Sequence, residues 1–186
     1  MANLDATKVK VAITGELSVG KEGTKAPTTA SSSISGMKGL GYISEDGVSE
    51  TRDRSTTKLK AWQNAATVRT IVEEASLQLK TALIETNADT VGLYYGTTVD
   101  PATGAVLIDP SVTGGRKSFC LDVIDGDDFI RTWIPSGEIV EVGEQVYKNG
   151  EPIGYEITIE AYMTDIDGTT ACAKKFYESL KTQGGP

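Results

Sequence analysis

KLKAWQNAATVRTIVEEASLQLKTALIE, residues 58–85, can form one long helix or a pair of strands, and the fold class turns on which. Val68, Ile71, Val72, Ala75, Leu79, Ala82 and Leu83 fall on one stripe of a helix. Ala, Glu, Leu and Lys abound in it, and all four favour helix. Against the helix stand five β-branched residues within six positions, Thr67, Val68, Thr70, Ile71 and Val72, and the absence of a Gly or Pro stop. As strands, the stretch is broken by Gln63-Asn64-Ala65, so that 58–62 and 67–72 can pair as a hairpin. Val68, Thr70 and Val72 then share a face, but Leu77, Leu79, Thr81 and Leu83 are out of phase with them. A turn or bulge within 73–76 returns both sets to one core side. Taken alone, the residues leave both readings open and tilt towards strands.

Working outward, KVKVAIT (8–14) alternates, with Val9, Val11 and Ile13 opposite Lys8 and Lys10, as a strand with one wet face does. Residues 15–39 carry few large apolar groups and read as a long polar arm or loop, either a surface loop or an assembly arm. LGYIS (40–44) reads as a short strand and EDG (45–47) as its turn. The following charged segment at about 45–60 packs Glu50, Arg52, Asp53, Arg54, Lys58 and Lys60 into a β-prone run unsuited to a core. It fits a protruding hairpin whose charges meet another surface, or a solvated edge strand blunted by charge. TNADTVGLYYG (86–96) reads as one helix, at about 87–95, with Thr86 as N-cap, Asp89 in the first turn and Gly96 as left-handed C-cap. Downstream, turn signals at Asp100-Pro101, Asp125-Gly126, Pro135-Ser136-Gly137, Asn149-Gly150 and Asp167-Gly168 separate β-prone runs such as RKSFCLDVI. ACAKKFYESL closes the chain as a strand or short helix. Turns at this spacing predict a mainly β sandwich or barrel in one domain, 1–186.

The 186 residues can bury a core unaided, and no apolar run approaches a membrane span. MANLDATKVKVAITG lacks the basic region and apolar core of a secretory signal, which predicts synthesis and folding in a cytosol. Cys120 and Cys172 are expected as unpaired, largely buried thiols. The chain contains no histidine, which removes Ser-His-Asp and Cys-His chemistry and the commonest transition-metal ligand. An enzyme would have to work with carboxylates, Lys or Tyr. Of the net charge of −8, residues 120–167 hold twelve acids against Arg131 and Lys148, leaving the remainder at +2. This is a solvated acidic face or an interaction surface. Its sign opposes affinity for a duplex carrying one negative charge per roughly 1.7 Å.

Chemical motifs are sparse. DVIDGDD (122–128) lacks the EF-hand order of ligands, and DIDG (165–168) is too short for one, so Asp-Gly hairpin turns are the expected reading. SVGKEGTK lacks P-loop spacing, and no carboxylate pair stands in a pocket context. No catalytic residue, cofactor or metal site is expected. Trp62 and Trp133 are expected as core or interface anchors.

The order of segments, however, closely resembles a known family. KVAITG (10–15), GTKAPT (23–28), LGYISEDGV through LYYG (40–96), DPATGAV (100–106), FIRTWIPSGEI (129–139) and YEITIEAY (155–162) resemble the major tail tube proteins of long-tailed, siphovirus-type bacteriophages. The resemblance spans nearly the whole chain. It implies a tail-tube-type β-sandwich with one flanking helix, six copies per ring, and rings stacked into a hollow tube that delivers genomic DNA. Inner sheets of neighbours would join into a barrel, and residues 58–85, now read as strands, would supply strands to it. The implied partners are copies of the chain itself and other tail proteins (tape measure, tail tip, terminator), in the virion tail and, during assembly, the host cytoplasm. DNA would pass without specific binding, and no membrane insertion is implied.

Six copies at −8 bring −48 to a ring. On this reading Glu73 and Glu74, or Glu141 and Glu144 from the acidic excess, face the lumen. Glu50, Arg52, Asp53, Arg54, Lys58 and Lys60 then contact the next ring, where exposed pairs set register more than strength. The competing class is a monomeric β-sandwich that binds carbohydrate or protein on a phage or cell surface, using Trp62 and Trp133. A carboxylate-based hydrolase comes third.

Overall fold

The computed structural model describes residues 4–181; the ends of the expected 1–186 domain lie outside them. The decisive stretch is strand. The elements run β1 (Thr14–Lys21), β2 (Met37–Gly39), β3 (Ile43–Lys60), β4 (Thr67–Leu83), α1 (Ala88–Tyr95), β5 (Lys117–Asp125), β6 (Asp128–Val142), β7 (Tyr155–Ala161), β8 (Thr164–Ile166), β9 (Thr169–Ala171) and β10 (Lys174–Tyr177). The main sheet is antiparallel, in the order β2-β1-β5-β6-β7-β4-β3, with β10 also pairing β6. β8 and β9 make a separate hairpin.

β3 and β4 form one long hairpin, closed at residues 61–66, with Lys60 opposite Thr67. Asn64 (φ 58°) and Ala65 (φ 50°) turn the chain, and Ala61 N–H donates to Ala66 O at 2.7 Å. The phase change along β4 is absorbed by a bulge: Ser55 faces Glu74 and Thr56 faces Val72, leaving Glu73 extra. EDG does not end a strand as expected. It loops out of β3 as a larger irregularity between Ile43 and Val48, with Gly47 at φ 67° and Thr81 Oγ1 donating to Gly47 O at 2.9 Å.

β6 is the bending strand. Pro135-Ser136-Gly137, expected to turn, instead bulges within a continuous strand, because Phe119 pairs Ile134 while Lys117 pairs Gly137. Before the bulge β6 lies between β5 and β10; beyond it, β7 replaces β10. Pro135 has no N–H to give the ladder, and its carbonyl accepts from Gly23 N–H at 3.0 Å and Ser118 Oγ at 2.7 Å. The sheet thereby folds over one core. Leu17, Phe119 and Leu121 from one half meet Leu79, Leu83, Ile157 and Ile159 from the other.

The polar arm expected over 15–39 is shorter. Residues 14–21 and 37–39 are β1 and β2, and only 22–36 are irregular. That segment is tied down: Ala30 is buried, Thr24 N–H donates to Ser118 Oγ, and Arg131 donates to the carbonyls of Thr29 and Ser32. Of the expected strand 8–14 only Thr14 lies in β1, with Ile13 N–H donating to Ile124 O of β5 at 3.1 Å. Helix α1 is capped by Asn87 rather than Thr86, through its side chain accepting from Thr90 N–H at 2.8 Å. Thr86 instead shares a 3.1 Å hydrogen bond with Tyr155. Gly96 ends the helix at φ 67°.

Two turns are tight hairpins. Asp125 pairs Asp128 around Gly126-Asp127, with Gly126 at positive φ, and Ile166 pairs Thr169 around Asp167-Gly168, with both central residues at positive φ. Asn149-Gly150 turns within a longer loop, 143–154, because Tyr94 donates to Gly143 O and Tyr95 to Gln145 Oε1, drawing the chain onto the helix.

Candidate assembly surface

The hairpin becomes unusual past Gln78. β7 covers β4 only along 78–83, so residues 67–77 have β3 on one side and, among the described residues, no strand on the other. β3 is itself the sheet edge. From about residue 51 to the turn and back, side chains on both faces are exposed. At about 3.3 Å per residue the free part extends on the order of 30 Å. Its apolar members Leu59, Val68, Ile71 and Val72 lie in solvent, and Trp62 at the tip is 98% exposed. Two free edges with exposed β-branched residues form a template for strand addition.

All six candidates for inter-ring contact lie along β3. Glu50 is already engaged, its carboxylate meeting Lys175 Nζ at 2.6 Å. Arg52, Asp53 and Arg54 face Leu77, Ser76 and Ala75 across the hairpin, and Lys58 and Lys60 sit near the tip. The four candidate lumen acids do not form one cluster. Glu73 and Glu74 occupy the β4 bulge, Glu141 lies near the end of β6, and Glu144 follows in the loop. Glu141 pairs with Thr158, which also pairs with Lys80. Lys80 has a raised pKa, first from its bond to Glu156 at 2.9 Å, with Glu141 adding to it.

Opposite ends of the sheet order approach each other where β1 and β3 begin. Between them lies a groove of about 600 Å³. Ile43, Val48, Leu121 and Val123 give it an apolar lining, with exposed Ile13 and Tyr42 beside them. Its charged lining residues are Glu16, Glu45 and Glu85. Glu85 accepts from Tyr42 N–H at 3.2 Å and Asn87 Nδ2 at 3.3 Å. Gly41 is at φ 87°, and a Cβ there would collide with the Glu85 carboxylate. This groove had no linear signal, since its walls come from residues a hundred positions apart.

The acidic turn 122–128 is occupied by its own chain. Asp122 binds Arg131, Asp125 accepts from Val11 N–H at 3.0 Å, and Asp128 takes Lys10 at 2.8 Å together with the N–H groups of Phe129 and Ser179. Among the described residues no three Asp, Glu or Cys side chains gather as a metal-holding group. Cys120 and Cys172 are both free thiols, the first buried and the second half-buried. Trp133 is buried in β6, so the two tryptophans share no cleft.

A family model described as phage tail tube protein matches residues 1–174. Among solved structures, the chain is similar to one from the cryo-EM structure of the anti-feeding prophage baseplate, six-fold symmetrised. The identity there is 10% and the TM-score 0.40, covering 87% of this chain and 91% of that one. No curated protein matches the chain.

Proposed function

The chain belongs to the phage tail tube protein family and forms the tail tube, and from that premise we propose that its copies join as six-membered rings stacked into the hollow tube of a siphovirus-type tail. It is a structural protein, not an enzyme. Through the lumen the genome passes on delivery, held off rather than bound.

The observation that carries this reading is the β3–β4 hairpin, with two unpaired edges and exposed side chains on both faces. A free hairpin of this kind is marginal in water. Strands of neighbouring copies added to its edges would satisfy the open backbone groups, and closure around a ring would leave no edge. Arg52, Asp53, Arg54, Lys58 and Lys60, with Glu50 shared with Lys175, then meet the next ring. Glu73 and Glu74, or Glu141 and Glu144, face the channel, where like charge repels phosphate. Tape measure, tail tip and terminator proteins are the further partners, met in the host cytoplasm during assembly.

The test is to replace residues 54–75 with Asn-Gly, which bridges the paired Asp53 and Ser76 by a two-residue turn. The core contributes no residue to the excised segment. The variant is expected to keep a cooperative melting transition near the parent's, with strand content reduced only by the excised residues, while losing the tubes or rings that electron microscopy shows for the parent. Tubes formed equally well by the shortened chain would contradict the proposal.

A further inference from the structure

We infer that Trp62, at the tip of the β3–β4 hairpin, docks in the groove between the starts of β1 and β3 of a second copy of this chain. The inference rests on the tube reading and specifies which surfaces meet.

Four observations carry it. Trp62 is 98% exposed at the end of a paired two-stranded arm, and tryptophan is enriched among side chains that dominate interfaces when a pocket receives them. The groove, at about 600 Å³, has an apolar floor and the size of a site that takes an indole with its flanking side chains. The charges are complementary. Beyond the bulge at Glu73, the end of the hairpin from Thr56 to its partner Val72 holds Lys58, Lys60 and Arg69 and no acid, while the part nearer the core adds Arg52 and Arg54 against Asp53, Glu73 and Glu74. The groove is lined by three glutamates and no basic residue. This pairing favours tip-to-groove encounter over tip-to-tip or groove-to-groove. Finally, the two surfaces lie at opposite ends of β3. Val48 to Lys60 spans about 40 Å at the usual strand rise, so the tip cannot fill its own chain's groove.

Contact between two different patches is heterologous, and repetition of a heterologous contact builds rings or filaments rather than closed pairs. Copies joined this way are offset by at most about 40 Å along the hairpin. Each subunit offers one tip and one groove, so the contact propagates without a separate adaptor.

The test mixes chains carrying Trp62→Cys with chains carrying Ile13→Cys, both in a Cys172→Ser background; Cys120 is buried. Ile13 lies exposed at the groove. On mild oxidation, disulfide-linked dimers that need both variants are expected. Trp62→Ala, which disturbs no buried contact, is expected to raise the concentration needed for assembly at least about tenfold. Tubes without the cross-link would overturn the docking and leave the tube reading standing. The cross-link without tubes would keep the docking and overturn the tube. Neither tubes nor cross-link would overturn both.

Discussion

Arg131 grips Asp122 through two parallel bonds, Nε to Oδ1 and a terminal nitrogen to Oδ2, each 2.6 Å long. The two residues face each other across β5 and β6. The remaining guanidinium nitrogen donates to the carbonyls of Thr29 and Ser32. One cation therefore fixes a strand pair and the segment 22–36 together. The bond to Asp122 holds Arg131 charged more firmly than usual, against the cost of its burial.

Removing that cation leaves a carboxylate and two carbonyls without their donor. Arg131→Met is expected to cost about 3 kcal/mol, the low end for breaking a buried pair, since Asp122 keeps some contact with water. Urea denaturation measures this, and limited proteolysis should cut first within 22–36. Arg131→Lys should recover part of the loss, because it restores charge but not the fork.

Cys120 beside this pair should be chemically silent. Burial, then the nearby Asp122 charge, pushes its thiol up to about 12. A thiol reagent at pH 8 is expected to modify Cys172 in the native protein and Cys120 only on unfolding. Equal rates for both in the native state would contradict the packing of β5.

Acid should loosen the N-terminal segment. The bond from Lys10 holds the Asp128 carboxyl below the ordinary range, and Asp128 in turn raises Lys10. For Asp128 the stabilisation is whole above the unfolded value of about 3.9 and is lost as pH falls through the lower folded value. For Lys10 it is whole below about 10.4 and is lost as pH rises through the higher folded value. Between about pH 5 and 9 the tie is constant. Asp128→Asn should weaken it at pH 7, seen as faster amide exchange at residues 9–13.

Gly96 cannot accept a side chain. It sits at φ 67°, and a Cβ would lie 2.4 Å from Val112 O and 2.8 Å from Gly114 N, both backbone. Gly96→Ala is expected to cost about 1–3 kcal/mol, read by thermal melting with α1 helicity as the local probe.

Much of the fold could be read from the sequence where local chemistry decides it. The β-branched run 67–72 identified the strand, and the phase change at 73–76 located the bulge that the pairing around Glu73 shows. Gly96 marked the end of the helix. The failures share a cause, which is tertiary contact. GELSVGK, residues 15–21, read as part of a polar loop because the segment 15–39 carries few large apolar groups, and its glycines do not signal a strand. In β1 they permit close approach instead: a Cβ at Gly15 would meet Asp122 O at 2.8 Å, and one at Gly20 would meet Gly36 O at 2.8 Å. Pro135-Ser136-Gly137 resembled a turn, but the neighbours of β6 make it a bend between two partner strands. The candidate contact residues were recognisable as a charged run that no core could hold. The groove was not, because residues 12–16, 41–48 and 121–123 converge only in the folded sheet.

On this reading the hairpin is an element between subunits. A cryo-EM reconstruction of assembled tubes tests it most directly. The expected map has six copies per ring, with both edges of residues 51–76 paired to neighbouring copies and no free strand edge. A tube whose hairpins stand in solvent, touching no other copy, would contradict it.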